Sequence, residues 1–388
     1  MSVNLLSIEQ SYQLIASLHA QATGKTAATP INNSDFISVA QATLTAGKDQ
    51  VLNSIMQMVQ KTLIAVRPYE QKFGGLVVTN ERWGGIIRKI SFADKNPQIS
   101  ENINLTDGVA VDQYVVNKPV VLETHYVGFD TWSGVYTIFE DQLDTAFTSA
   151  GAFGEFISGL LVHFANERSQ WREEMARNAL CNFAAGKNNL NNGIINALSE
   201  YNTATGLTLT ATTVRQPANF GPFCKWLYAR VGEISDMMTE RSNLYQLNIT
   251  GYDIFRHTPV RDQKIYIDAN LRKHMEAEVL ADTYHDNYLA IADVESVNYW
   301  QSIQSPNSID VTPAIIDNTG AIDTGTRQQM SNVVAMLFDR DAVAINVAES
   351  HIDMTPFNAR GRYWNLISME RIQYQNDFTE KGVVITLN

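Results

Sequence analysis

Cysteine is scarce in this chain: Cys181 and Cys224 are the two among 388 residues. They lie far apart, with neither the spacing of a zinc site nor the even set of a disulfide framework, as suits folding in a reducing cytoplasm. Both read as small buried hydrophobes, not reactive thiols. Long apolar runs are also missing. No stretch approaches the roughly 18 residues that cross a bilayer, and the N-terminus, MSVNLLSIEQSYQLIASLHAQ, has no cationic start ahead of an apolar core, so neither a membrane partner nor a signal peptide is expected. Positive charge is in deficit, 29 Lys and Arg against 41 Asp and Glu, for a net −12. Affinity for a phosphate backbone comes mainly from Lys and Arg displacing counterions, which argues against nucleic acid as a direct ligand. An acidic wall can still enclose DNA without gripping it. Charge of either sign is low, at 18% against the roughly 25% of ordinary soluble chains. Charged groups are depleted where subunits meet because desolvating them is costly, so this deficit points toward assembly.

What is present divides unevenly along the chain, and 388 residues exceed what one hydrophobic core usually organises. Leu5, Ile8, Tyr12, Ile15 and Leu18 recur at helical spacing, followed by a small-residue linker from Ala22 to Asn33 around Pro30. Ser34 or Asp35 is placed to cap a further segment, in which Val51, Leu52, Ile55, Met56, Val59 and Leu63 form another apolar stripe. This reads as an arm without a compact core of its own. From about Arg67 to Phe139 the period changes to two: Val109 and Val111, then Val120, Leu122, Thr124 and Tyr126, punctuated by Gly74-Gly75, Gly84-Gly85 and Asn96-Pro97, predict a long β-hairpin. An isolated hairpin is marginal in water, so this one needs another surface to lie on.

Between Gly151 and Ala185, Phe153, Phe156, Ile157, Leu160, Leu161, Phe164, Trp171 and Met175 follow steps of three and four, a helix roughly 50 Å long. An amphipathic helix follows through Phe220, Phe223, Leu227, Val231, Ile234 and Met238, after a Thr-rich stretch of strand propensity. The run KIYIDANLRKHMEAEVLAD reads as strand, turn and helix, with strands at Val333–Phe338, Val343–Val347, Tyr363–Tyr374 and Gly382–Leu387. The class is α+β.

Several motifs imitate a chemical site. Gly24-Lys25-Thr26 ends like a phosphate loop, but His19 stands where the required glycine belongs. His274, Glu276 and Glu278 do not share one helix face as a metal set would. Glu140-Asp141 and Asp339 with Asp341 could do acid and base work, yet no partner is identifiable. Asn104-Leu105-Thr106 and Asn248-Ile249-Thr250 match glycosylation sequons by chance. No catalytic residue, cofactor or metal is expected.

Four segments carry a resemblance: GVYTIFEDQLDTAF, GAFGEFISGLLVHF, KIYIDANLRKHMEAEVLAD and NARGRYWNLIS. In this order they resemble the major capsid proteins of tailed bacteriophages with the Hong Kong 97 fold, most like short-tailed phages (podoviruses) of the phi-29 kind. The resemblance implies an N-terminal arm over 1–66, an extended β-hairpin (E-loop) and the start of a peripheral domain over 67–139, the peripheral domain with its spine helix over 140–215, an axial domain over 216–350, and a C-terminal return to the peripheral domain over 351–388. It implies many copies of the chain in pentamers and hexamers, an icosahedral or prolate shell around double-stranded DNA, portal and scaffolding proteins as partners, and a virion protein made in the host bacterial cytoplasm. Covalent crosslinking is not carried over, since its lysine and asparagine partners are not identifiable. Trp83, Phe92, Tyr114 and Tyr126 are the candidate contacts between subunits, because exposed strands and aromatics are what a neighbour covers. An encapsulin-like compartment enclosing enzymes and a soluble hydrolase are the competing readings.

Overall fold

The first two helices of this chain begin on side chains that satisfy free backbone amides. The computed structural model describes residues 7–26, 29–45, 47–63, 71–79, 86–94, 107, 114, 116, 118–252, 254–280 and 294–388. Helix α1 (Ile8–Thr23) opens on a reciprocal box, Gln10 N donating to Ser7 Oγ at 3.2 Å and Ser7 N to Gln10 Oε1 at 2.9 Å. It closes on Gly24, whose φ of 71° lets its N–H reach the Ala20 carbonyl. Gly24-Lys25-Thr26 is therefore a helix end. The cap of α2 (Asn33–Leu44) is Asn32, accepting from Asp35 N at 2.8 Å, and not Ser34 or Asp35 as the sequence suggested.

The chain continues through α3 (Lys48–Leu63), β1 (Val77–Thr79), β2 (Ile86–Phe92), β3 (Val121–Val127), β4 (Asp130–Phe139), α4 (Glu140–Ala146) and the 40-residue α5 (Ala150–Asn189). Next come β5 (Ile194–Asn196), α6 (Ala197–Thr205), α7 (Pro217–Thr239), β6 (Gln263–Asp268), α8 (Ala269–Leu280) and β7 (Val294–Val297). Four short strands, β8 (Ile309–Val311), β9 (Ala314–Ile316), β10 (Ile322–Thr324) and β11 (Gln328–Met330), precede the long ones, β12 (Val333–Asp339), β13 (Val343–Met354), β14 (Tyr363–Asn376) and β15 (Gly382–Thr386). The Thr-rich stretch read as strand-prone is instead α6 and a turn, because Asn196 caps the helix and Thr210 and Thr213 bond each other's backbone amides.

Two units divide the chain. The first comprises Met1–Trp83, Phe129–Glu174 and Asn346–Gln373. Its sheet has the order β1-β13-β14-β4, with β14 and β4 antiparallel from Tyr363↔Phe139 to Ile372↔Asp130. Ile15, Leu18, Phe36, Ala40, Val51 and Leu52 from the three N-terminal helices join Phe153, Leu160 and Phe164 of α5 in one apolar cluster. The arm expected to lack a core thus shares this one. Gly134 of β4 lies so close to α5 that an added Cβ would sit 2.7 Å from the Trp171 ring, which is why a strand position here carries no side chain.

The second unit comprises Gly84–Gly128, Met175–Ile345 and Tyr374–Asn388. Its sheet runs β5-β15-β12-β6-β7, with β12 antiparallel to both neighbours while β15/β5 and β6/β7 are parallel. All seven residues of β12, VVAMLFD, are buried, as a strand covered on both faces requires. Phe338 stacks on Tyr266 at 5.8 Å and meets Phe183 at 5.7 Å. Within residues 351–388, β14 pairs in the first unit's sheet, whereas β15 is an inner strand of the second.

Candidate assembly surface

Strands β2 and β3 pair antiparallel from Ile86↔Val127 to Phe92↔Val121 and form a two-stranded ribbon in the second unit. Alternation gives it two unlike faces. Arg88, Ile90 and Phe92 of β2 and Val121, Glu123, His125 and Val127 of β3 are exposed. Phe92 and Val127 are each 62% accessible. Glu123 joins Arg88 and also His125 at 2.9 Å, and the hydrogen bond from Arg88 holds its carboxyl below the usual range. Among the described residues the two strands pair only with each other, so each has an open edge. Open edges beside apolar side chains are pairing sites for another chain.

The opposite face carries Ile87, Lys89, Ser91, Leu122, Thr124 and Tyr126. Lys89 pairs with Asp377 and Glu380, both buried. Arg256 reaches Glu380 at 3.1 Å, Ser91 Oγ at 2.8 Å and Thr379 Oγ1 at 3.3 Å. Burial raises the Asp377 pKa, but the charge and hydrogen bond of Lys89 and the bonds from Thr379 outweigh it and hold the group low. Below them Lys187 Nζ donates to the Tyr245 carbonyl at 2.8 Å; burial pushes its pKa down to about 7 against the pull of Asp377 and Glu380. With two carboxylates already answered by two cations, a third positive charge has little left to neutralise.

Of the four expected contact residues, the ribbon presents Phe92 outward, and Tyr114 is 82% accessible. Trp83 lies outside the described residues, as do Val109 and Val111 of the expected hairpin. Tyr126 is 8% accessible on the inward face, where burial and the neighbouring Asp377 carboxylate raise its pKa. The sequence reading placed Leu122, Thr124 and Tyr126 on one side, correctly, but period two does not tell which side faces in.

A second surface escaped the sequence reading. Among the described residues strand β4 is an edge of the first unit's sheet, and Trp132, Val135 and Phe139 on it are 39, 62 and 49% accessible. The imitations of chemistry resolve into structure. Glu140 is held at about 2 by hydrogen bonds from Arg362 and Lys48, and Asp339 accepts from Thr258 Oγ1 at 2.8 Å and Asp341 N at 2.9 Å. Glu276 pairs with Arg272 and Lys273 along its own helix. Burial raises the Cys181 thiol to about 12, away from nucleophilic use.

Against known proteins, the sequence profile described as Phi29-like phage major capsid protein matches residues 15–379. No curated protein matches the chain. Among solved structures, a chain of the capsid of Staphylococcus phage Andhra aligns with a TM-score of 0.55 at 14% identity, covering 84% of this chain and 86% of that one. A chain from the structure of head fiber and inner core protein gp22 of native bacteriophage P68 aligns with a TM-score of 0.52 at 12% identity, over 83% and 86%. At these identities the likeness is one of fold.

Proposed function

This chain belongs to the family of Phi29-like phage major capsid proteins and is a structural shell protein of the virion, and from that premise we propose how its copies meet. Each subunit lays its β2–β3 ribbon on a neighbour, outward face first. Ile90, Phe92, Val121 and Val127 on the ribbon, with Tyr114 beyond it, make the apolar contact. The contact is heterologous, one patch meeting a different patch, so rotation by successive copies closes rings. Pentamers and hexamers then join into an icosahedral or prolate shell of Hong Kong 97 type, with the first unit as peripheral and the second as axial domain. The net charge of −12 suits a wall that contains double-stranded DNA and lets it leave. Synthesis in the host cytoplasm and encounters with portal and scaffolding proteins complete the reading.

One observation carries it: the ribbon is two strands wide, open on both edges among the described residues, and exposes Ile90, Phe92, Val121 and Val127 around the Arg88, Glu123 and His125 cluster on its outward face. Such a ribbon is poorly stable without a cover. Replacing Ile90 and Phe92 together by Ser should leave a folded, soluble subunit, because both side chains are exposed, and abolish shells in electron micrographs. Regular shells from that variant would overturn the ribbon as the contact arm.

A further inference from the structure

We infer that the charge cluster in which half-buried Lys89 and Arg256 meet the buried Asp377 and Glu380 is a positioning device that fixes the direction in which the ribbon leaves the subunit. The inference rests on reading the ribbon as the contact arm. Lys89 is the one ionic side chain among the six on the ribbon's inward face. An apolar residue would pack there without the cost of desolvating an ammonium. What a charge adds is direction, because two carboxylates at fixed places accept it in one register only.

The grip is taken at several points on both strands. On β2, Lys89 holds Asp377 and Glu380, and Ser91 accepts from Arg256 at 2.8 Å. Two residues beyond β2, Asp94 pairs with Arg241 and accepts from Phe255 N at 2.9 Å. On β3, the Tyr126 ring is buried beside Asp377. Points on two strands stop the ribbon from pivoting about a single pin. The receiving turn is itself rigid. Asp377 accepts from Thr379 N at 2.9 Å and Thr379 Oγ1 at 2.6 Å, and Asp377 N donates to the Ala342 carbonyl at 2.7 Å. Gly382, the first residue of β15, donates to the Tyr245 carbonyl at 2.9 Å. The ribbon's aim is therefore referred to an inner strand of the second unit's sheet.

The test uses the full chain with Lys89→Met and Asp377→Asn together, a pair that removes one charge of each sign and keeps the Thr379 bonds available to the Asn carbonyl. Hydrogen exchange of the β2 and β3 amides reads the anchor, and electron microscopy of assembly reactions reads the arm. Expected are a folded subunit, ribbon amides exchanging about tenfold faster or more, and absent or irregular shells. Ribbon exchange unchanged from the native chain overturns the inference, and so do fast exchange with regular shells. Should the pair fail to fold, Ser91→Ala with Tyr126→Phe, which alters no charge, decides through the same two readouts. The Ile90 and Phe92 variant separates the two ideas: if it builds regular shells, the arm reading fails whatever the anchor does, and if it keeps native exchange without shells, the arm stands and the anchor is judged alone.

Discussion

The two larger sheets of this subunit, among the described residues, show an inner strand and an edge strand of very different exposure. In the second unit's sheet, β12 lies between two partners and every one of its residues is buried. In the first unit's sheet, the ten-residue β4 has β14 on one side and, among the described residues, no strand on the other, with Trp132, Val135 and Phe139 accessible. The ribbon is a sheet of two. The difference teaches where a shell protein keeps its stability and where it keeps its bonding capacity. A strand paired on both sides inside one chain has no edge to offer a neighbour; an edge strand is stabilised on one side only and keeps the other for pairing.

The sharpest way to break this comparison is to damage the inner strand β12. Phe338, fully buried between Tyr266 and Phe183, should cost about 3–5 kcal/mol when replaced by Ala. Urea unfolding of the subunit measures it, and a loss below about 1 kcal/mol would show that β12 does not anchor the unit.

Next in size is the buried ammonium of Lys187. Its pKa falls from 10.5 in the unfolded chain to about 7 in the folded one, chiefly through burial. Below pH 7 both states carry the proton and the penalty is at its full constant value. As pH rises from about 7 toward 10.5, the unfolded chain alone still holds the proton, so stability climbs with pH, by on the order of a few kcal/mol over that window. Asp377 and Glu380 pull the other way, while Lys89 and Arg256 share those carboxylates. A Lys187→Met chain lacks this climb. Parallel stability curves for the two chains between pH 7.5 and 9.5 would refute the burial of an ammonium as the cause.

Much of this architecture was legible because its elements carry strong periodic signals. The α5 stripe from Phe153 to Met175, the KIYID strand before its helix, and the apolar run of β12 were all read at nearly their observed places. Where reading failed, the deciding interaction was distant or local in a way that pattern does not encode. Strand β13 runs to Met354 instead of Val347 because Glu349, Ser350 and His351 sit half-buried in a sheet whose partners lie elsewhere in the chain. Asn32 took the cap of α2 from Ser34 and Asp35 through one hydrogen bond. The charge cluster was invisible, since Lys89 and Asp377 are 288 positions apart and the sequence Asp377-Phe378-Thr379-Glu380-Lys381 reads as a polar turn. Alternation told that Phe92 and Tyr126 lie on opposite faces of the ribbon, but the fold was needed to show which face turns inward.

The smallest effect on the free subunit is the most informative for the comparison. Val135 of β4 is 62% accessible and lies one residue from Gly134, whose backbone packs on Trp171. Replacing Val135 by Ser removes apolar surface from the open side without touching that packing, so unfolding of the isolated subunit should change by less than about 0.5 kcal/mol. If the edge strand serves assembly, the same change weakens the shell: the critical concentration for assembly, read by light scattering, should rise several-fold. A contact repeated in every subunit multiplies even a small loss per copy across the particle. An unchanged critical concentration would mean that β4 faces solvent in the shell as it does in the subunit, leaving the ribbon to carry the difference between the two kinds of strand.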